Sequence, residues 1–251
     1  MTQGQTIVWI TGATKGLGAG LARTCPFQNA RVINASRTSH PDLENIFFDL
    51  GDRDSWQALR HSFQEELADF AGERAIFIHN ALFDGSTGFA GEMNEDLYER
   101  DVLGNVVAPL QLGDWFLRAV RSGYESGLVM ISSAAAQMPV EGHSVYGAAK
   151  AAVEQWVRVV RRERMRRGSG PWVVAIRPGF VDSETTRREA TLDPEHYPMA
   201  LLLKDGLEAG EALHPDDAAR NIWNALPPGD RSVLLFGEPP SGVGRARTGA
   251  A

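Results

Sequence analysis

The apolar run Ile7 to Ile10 passes directly into Thr11-Gly12-Ala13-Thr14-Lys15-Gly16-Leu17-Gly18, and this junction restricts the fold more than any other part of the chain. An unbroken apolar run reads as a buried strand. The glycines after it predict a tight turn at Gly12, a close approach of backbone to a pyrophosphate at Gly16, and a helix packed closely on the sheet from Gly18. The spacing differs from the G-x-G-x-x-G fingerprint, and a glycine-rich turn alone often marks a plain loop. Its place straight after a first strand gives it weight.

The rest of the chain alternates. Strands are predicted near 6–10, 31–35, 45–49, 75–79, 127–132, 171–177 and 232–236, with helices near 17–26, 54–70, 95–121, 144–168 and 215–226. That rhythm predicts an α/β fold, a doubly wound parallel sheet with helices on both faces. At 251 residues and 43% hydrophobic the chain can bury one large core, so residues 1–238 are expected to form a single domain. The stretch 180–213 breaks the rhythm. Its apolar residues Tyr197, Met199, Leu201, Leu202 and Leu203 suit a substrate lid with a short helix, and equally a peripheral helical insertion packed for stability. The Gly-, Pro- and Ala-rich tail 239–251 has little to bury and is expected to be disordered.

Tyr146 and Lys150 stand four residues apart, thirteen beyond Ser133 (146 − 133). On a helix this spacing puts both on one face. At about 4 Å and an effective dielectric of about 20 a charge pair is worth about 4 kcal/mol, enough to bring a phenol from about 10 toward about 7. A phenol so tuned can give or take a proton, while the Ser133 hydroxyl polarises the same substrate oxygen.

Taken together, T-G-x-x-x-G-x-G, Asn80-Ala81, Asn105, Ile131-Ser132-Ser133, Tyr146-x-x-x-Lys150 and Arg177-Pro178-Gly179 resemble the short-chain dehydrogenase/reductase family, in the family's order over residues 6 to 236. The resemblance implies a Rossmann-type sheet, a nicotinamide cofactor and a small carbonyl or alcohol substrate. It implies catalytic roles for Asn105, Ser133, Tyr146 and Lys150, with Asn105 holding a water that links the lysine to solvent. It places the cofactor on Gly12, Thr14, Lys15, Gly16, Leu17 and Gly18, on Ser36, Arg37, Asp49, Leu50, Asn80 and Ala81, and on Tyr146, Lys150, Pro178, Gly179, Val181 and Ser183. An NAD site usually carries a carboxylate at the end of the second strand, where this chain has Ser36-Arg37. With Lys15 nearby, two cations flank one phosphate, and NADP(H) is the expected cofactor. Where many relatives read Asn-Asn-Ala-Gly, this chain reads His79-Asn80-Ala81-Leu82, which adds bulk beside the cofactor; His79 itself reads as strand-end packing. Pro139 to Tyr146 and Leu203-Lys204-Asp205-Gly206 resemble the sepiapterin reductase and benzil reductase branch, implying a ketone or vicinal dicarbonyl met by Gln137, His143 and the lid.

A net charge of −7 argues against nucleic acid as a partner, and six histidines without paired spacing give no metal signature. No apolar stretch reaches membrane-spanning length and no signal peptide is read before the first strand, so a cytoplasmic protein is expected. Cys25 alone forms no internal disulfide and reads as a small apolar residue. The stripe Ala148, Ala149, Ala152, Val153, Trp156, Val157 and Val160 packs against its own sheet or, as in similar proteins, joins copies of the chain into a homodimer or homotetramer. A reductase is the expected activity; a non-catalytic NADP(H)-binding sensor on the same fold is the alternative.

Overall fold

The computed structural model describes residues 5–242 apart from 84, 86 and 238. The first strand forms as β1 (Thr6–Thr11), buried at every position. Ile7 and Trp9 enter one hydrophobic core and Val8 and Ile10 the other, which is why the sequence shows an unbroken apolar run. β2 (Arg31–Ser36), β3 (Glu44–Phe47), β4 (Arg74–His79), β5 (Glu125–Ile131), β6 (Trp172–Arg177) and β7 (Val233–Leu235) complete the sheet. Its order is β3-β2-β1-β4-β5-β6-β7, and every pair is parallel. The winding reverses between β1 and β4. Their carboxyl ends therefore diverge into a crevice, the usual ligand position in such sheets.

The helices are α1 (Gly16–Arg23), α2 (Trp56–Ala68), α3 (Glu95–Val102), α4 (Ala108–Ala119), α5 (Ser144–Arg167), α6 (Glu184–Glu189), α7 (Met199–Glu208) and α8 (Pro215–Asn224). α1 and α8 close one face of the sheet through Leu21, Ala219, Ile222 and Trp223, with half-buried Cys25 at the edge of that core. α2, α4 and α5 close the other through Leu59, Phe63, Leu112, Phe116, Val153 and Val157. There Trp9, Phe63 and Phe116 meet edge to face with ring centroids 5.3 to 6.1 Å apart, the geometry that ring quadrupoles favour.

The helix expected over 95–121 is not continuous. A π-helical turn, Leu103–Val107, separates α3 from α4. Asn105 within it reaches sideways to Phe83: its Oδ1 accepts from the Phe83 N–H at 2.9 Å and its Nδ2 donates to the Phe83 carbonyl at 2.8 Å. The widened turn is thus tied to a contact 22 residues away, beyond the reach of helical periodicity. Within 180–213, α6 and α7 form around a small core of Phe180, Tyr197, Ala200 and Leu203. At the carboxyl end Pro240 is buried, and Ser241 donates to Glu211 through its N–H at 3.0 Å and its hydroxyl at 2.7 Å. The expected tail therefore has its first residues packed; 243–251 lie outside the described residues.

Candidate active site

The loops at the carboxyl ends of β1, β2, β4, β5 and β6 surround a cleft of about 940 Å³. At the β1 turn Gly12 has φ of +73°, and α1 begins so close behind it that a Cβ on Gly18 would lie 2.0 Å from the Gly12 carbonyl oxygen. Only glycine permits that packing. Asn80 fastens the turn from the neighbouring strand, its Nδ2 donating to the carbonyls of Thr11 at 3.1 Å and Gly12 at 3.3 Å. α1 starts without a side-chain cap, so its first-turn N–H groups present positive potential beside the cleft.

Thr11 connects the turn to His79. Its hydroxyl oxygen accepts from the N–H groups of Asn80 and Ala81, each at 2.9 Å, and lies 3.2 Å from His79 Nδ1. With both lone pairs taken, the hydroxyl proton goes to Nδ1, and the imidazole proton sits on Nε2. Burial, with the Lys150 charge adding to it, lowers the His79 pKa to about 3. It is a neutral packing residue at the end of β4, as its sequence position suggests.

Ser133 follows β5 and opens a short 3₁₀ turn, Ala134–Ala136, where its oxygen accepts the Ala135 N–H at 3.3 Å. Tyr146 and Lys150 project from the first two turns of α5, as the four-residue spacing requires, with the ammonium 5.5 Å from the phenol ring centroid. Lys150 Nζ donates to the Ile131 carbonyl at 2.9 Å. Burial lowers its pKa from 10.5 to about 8 against an opposing pull from the Asp101 carboxylate.

Gly12, Thr14, Lys15, Gly16, Leu17, Ser36, Arg37, Asp49, Leu50, Asn80, Ala81, Ser133, Tyr146, Lys150, Pro178, Gly179, Val181 and Ser183 all line this one cleft. Gly18 and Asn105 do not, and both stand behind its wall. The Asn105 amide is spent on Phe83 and, through Nδ2, on Asp101. Ser183 caps α6, accepting the Thr186 N–H at 3.1 Å, and the Ser36 hydroxyl donates to the Thr38 carbonyl at 2.6 Å. Arg37 is exposed on the rim with no ion-pair partner among the described residues. Lys15 pairs with Glu184 at 2.7 Å across the mouth. Leu82 and His143 join the lining, whereas Gln137 lies outside it and accepts from Arg177 at 3.1 Å.

Two groups escape the sequence motifs. Asp101 is a buried acid one turn before Asn105 that acts electrostatically on Lys150. Glu154, one turn after Lys150, is buried and receives Ser132 at 2.8 Å, Arg177 at 2.6 and 2.7 Å, and Arg158 at 2.8 Å. Burial works to raise its pKa, but these hydrogen bonds and charges outweigh it and hold the carboxyl below its usual range. Glu154 thereby fixes the ends of β5 and β6 against α5, directly behind Ser133 and Pro178.

Sheet order and cleft position define a Rossmann-type α/β protein with its main cleft at the switch point. The family profile of the short chain dehydrogenases matches residues 6–193, and the chain belongs to that oxidoreductase family. It is 28% identical over 239 residues to a benzil reductase ((S)-benzoin forming) of Bacillus subtilis, covering 90% of this chain and 96% of that one. To human L-xylulose reductase it is 28% identical over 208 residues, covering 78% and 79%. A short chain dehydrogenase from Burkholderia cenocepacia, solved in complex with NADP, superposes with a TM-score of 0.71 at 18% identity, covering 94% and 90%, which shows the shared fold.

Proposed function

We propose that this protein is an NADPH-dependent carbonyl reductase, reversible as an alcohol dehydrogenase, acting on a small ketone or dicarbonyl. One observation carries the reading: Ser133, Tyr146 and Lys150 line the same cleft as the glycine turn, Lys15 and Arg37. The residues present fit a nicotinamide dinucleotide. The Gly12–Gly18 cradle and the uncapped start of α1 suit a pyrophosphate, and Lys15 and Arg37 suit a 2′-phosphate where no carboxylate ends β2. When bound, the cofactor supplies the hydride that adds to the carbonyl carbon.

The chain's own residues handle the oxygen. Ser133 has its oxygen engaged by the Ala135 N–H, and its hydroxyl proton is directed to the substrate carbonyl. Tyr146 passes its proton to that same oxygen as the alcohol forms. Lys150, anchored on the Ile131 carbonyl, stabilises the phenolate left behind. Taking the 5.5 Å from the ammonium to the ring centroid as the separation, with an effective dielectric of about 20, this is worth about 3 kcal/mol, roughly a hundredfold in rate. Asn105 acts here by holding the Phe83 loop and Asp101, and 180–213 serves as the substrate lid. The relative named for benzil, a vicinal diketone, and the NADP-bound neighbour support the substrate and cofactor assignments. The outer strip of α5, with exposed Ala148 and Val159 beside half-buried Ala152 and Trp156, suits self-association into a homodimer or homotetramer.

The test is a titration with NADPH and NADH, followed by absorbance decay with benzil and with simple ketones. NADPH-specific decay supports the reductase; tight NADPH binding without turnover on any carbonyl favours a sensor. Tyr146→Phe should keep cofactor affinity within twofold and lose turnover by about three orders of magnitude. Near-wild-type turnover in that folded variant would remove Tyr146 from the mechanism.

A further inference from the structure

Three polar side chains in the cleft take no part in the proton transfer described above. His143, immediately before α5, is 9% exposed, and Tyr197, before α7, is 2% exposed. Their rings are 4.7 Å apart, and the His143 ring lies 4.8 Å from the ring of Tyr146. Glu189 at the end of α6 completes a triangle. Tyr197 Oη is 3.3 Å from Glu189 Oε2 and 3.5 Å from His143 Nδ1, and His143 Nε2 is 3.7 Å from Glu189 Oε1. All three residues line the cleft, among the apolar side chains of Met138, Phe180 and Leu203.

Each edge of the triangle is longer than the 2.7–3.0 Å of a well-made hydrogen bond, so the groups stand apart instead of closing on one another. The proton count is also short. With a neutral imidazole, the Tyr197 hydroxyl and one ring N–H supply two protons to three edges. A hydroxyl entering between Glu189 and His143 supplies the third, and a hydroxyl donating to a carboxylate makes one of the stronger hydrogen bonds available to a neutral ligand. The position is specific too: a group touching His143 is close beside an oxygen held by Tyr146.

We propose that His143, Glu189 and Tyr197 form a second polar subsite that recognises a hydroxyl on the carbon next to the reacting carbonyl, so that α-hydroxyketones are preferred over plain ketones. This rests on the reductase reading above and narrows its substrate class. His143 and Glu189 determine specificity; the proton still moves through Tyr146. The apolar surround accommodates the remainder of the substrate, such as an aryl group.

The experiment compares 2-hydroxyacetophenone with acetophenone, which differ by the hydroxyl alone. Both kcat/KM values and, by calorimetry on NADP⁺-saturated protein, both dissociation constants are measured for wild type, His143→Phe and Glu189→Gln, with folding checked by circular dichroism. Phenylalanine preserves the ring packing against Tyr146 and Tyr197 while removing the hydrogen bonds. The ratio of the two substrates is the readout, since it cancels their intrinsic reactivity and any general loss of activity. Each variant is expected to lower the hydroxyl preference at least fivefold. A smaller change in either variant, including equal losses on both substrates, overturns the subsite and leaves the reductase reading standing. Calorimetric preference that His143→Phe and Glu189→Gln abolish, without turnover in wild type, keeps the subsite and overturns the reductase. Absence of any binding by 2-hydroxyacetophenone overturns the subsite.

Discussion

Replacing Lys150 by Met should make the protein more tolerant of neutral pH while disabling its chemistry. The Lys150 side chain is buried, and its pKa falls from 10.5 to about 8, chiefly because burial disfavours the ammonium. A base with a folded pKa below its unfolded value binds fewer protons in the native state between those two values, so stability rises with pH across that window. Below about pH 8 the charged lysine costs the native state about 3 kcal/mol, and this penalty disappears as pH approaches 10.5. The variant lacks the titrating group. Urea unfolding of both proteins from pH 7 to 10.5 should therefore show the wild type gaining up to about 3 kcal/mol relative to Lys150→Met. The methionine also leaves the Ile131 carbonyl without its 2.9 Å donor, but that offset is the same at every pH and drops out of the slope. At pH 7 NADPH-dependent turnover should fall about a hundredfold in the variant, from loss of the charge 5.5 Å from the Tyr146 ring centroid, and the gap should narrow above about pH 8 as the wild-type lysine gives up its proton. A stability difference independent of pH, or one that shrinks the wild type's standing as pH rises, would refute the account of Lys150 as a buried, functionally retained charge.

His79 titrates in the opposite region: its pKa of about 3 means that the unfolded chain takes up a proton near pH 6.5 which the native state refuses. Stability should fall by about 2 kcal/mol between pH 6.5 and 5 and His79→Asn should lack that loss, as read by parallel denaturant melts. Arg37→Glu places a carboxylate where β2 ends and should weaken NADPH at least tenfold while NADH improves, measured by fluorescence titration. Gly127→Ala would put a Cβ 2.1 Å from the Trp172 ring in the β5–β6 pairing; a loss of about 2 kcal/mol or more in unfolding free energy is expected.

The middle of the sheet was legible because β1, β4, β5 and β6 are buried on both faces and therefore appear as apolar runs between turn residues; β1, β2 and β4 begin and end within a residue of expectation. The glycine turn and the Tyr-x-x-x-Lys pair that line the cleft were legible because both are local patterns. Asn105 was singled out by the family resemblance, but the π-helical turn around it depends on the backbone of Phe83 and could not be read from its neighbours. Glu154 looks in sequence like the acid of an exposed i, i+4 pair with Arg158. Its burial comes from Ser132 and Arg177, which only the fold brings to it. Asp101 was hidden for the same reason: a charge on a helix gives no local sign of facing inward. His143 was noticed as a substrate contact, yet its meeting with Glu189 and Tyr197 depends on how the 180–213 segment folds back.

The two ends of the cleft are written in different stretches of the chain. Groups facing the proposed adenosine phosphate come from residues before 40, whereas those around the proposed substrate come from 131 onward, with one wall supplied by 180–213. Because Glu154 braces β5 and β6 from behind, that wall can be exchanged without loosening the Ser133–Tyr146 side. On the proposed function, changes beyond Glu184 in that wall alter the carbonyl substrate, while Lys15 and Arg37 keep the cofactor phosphate.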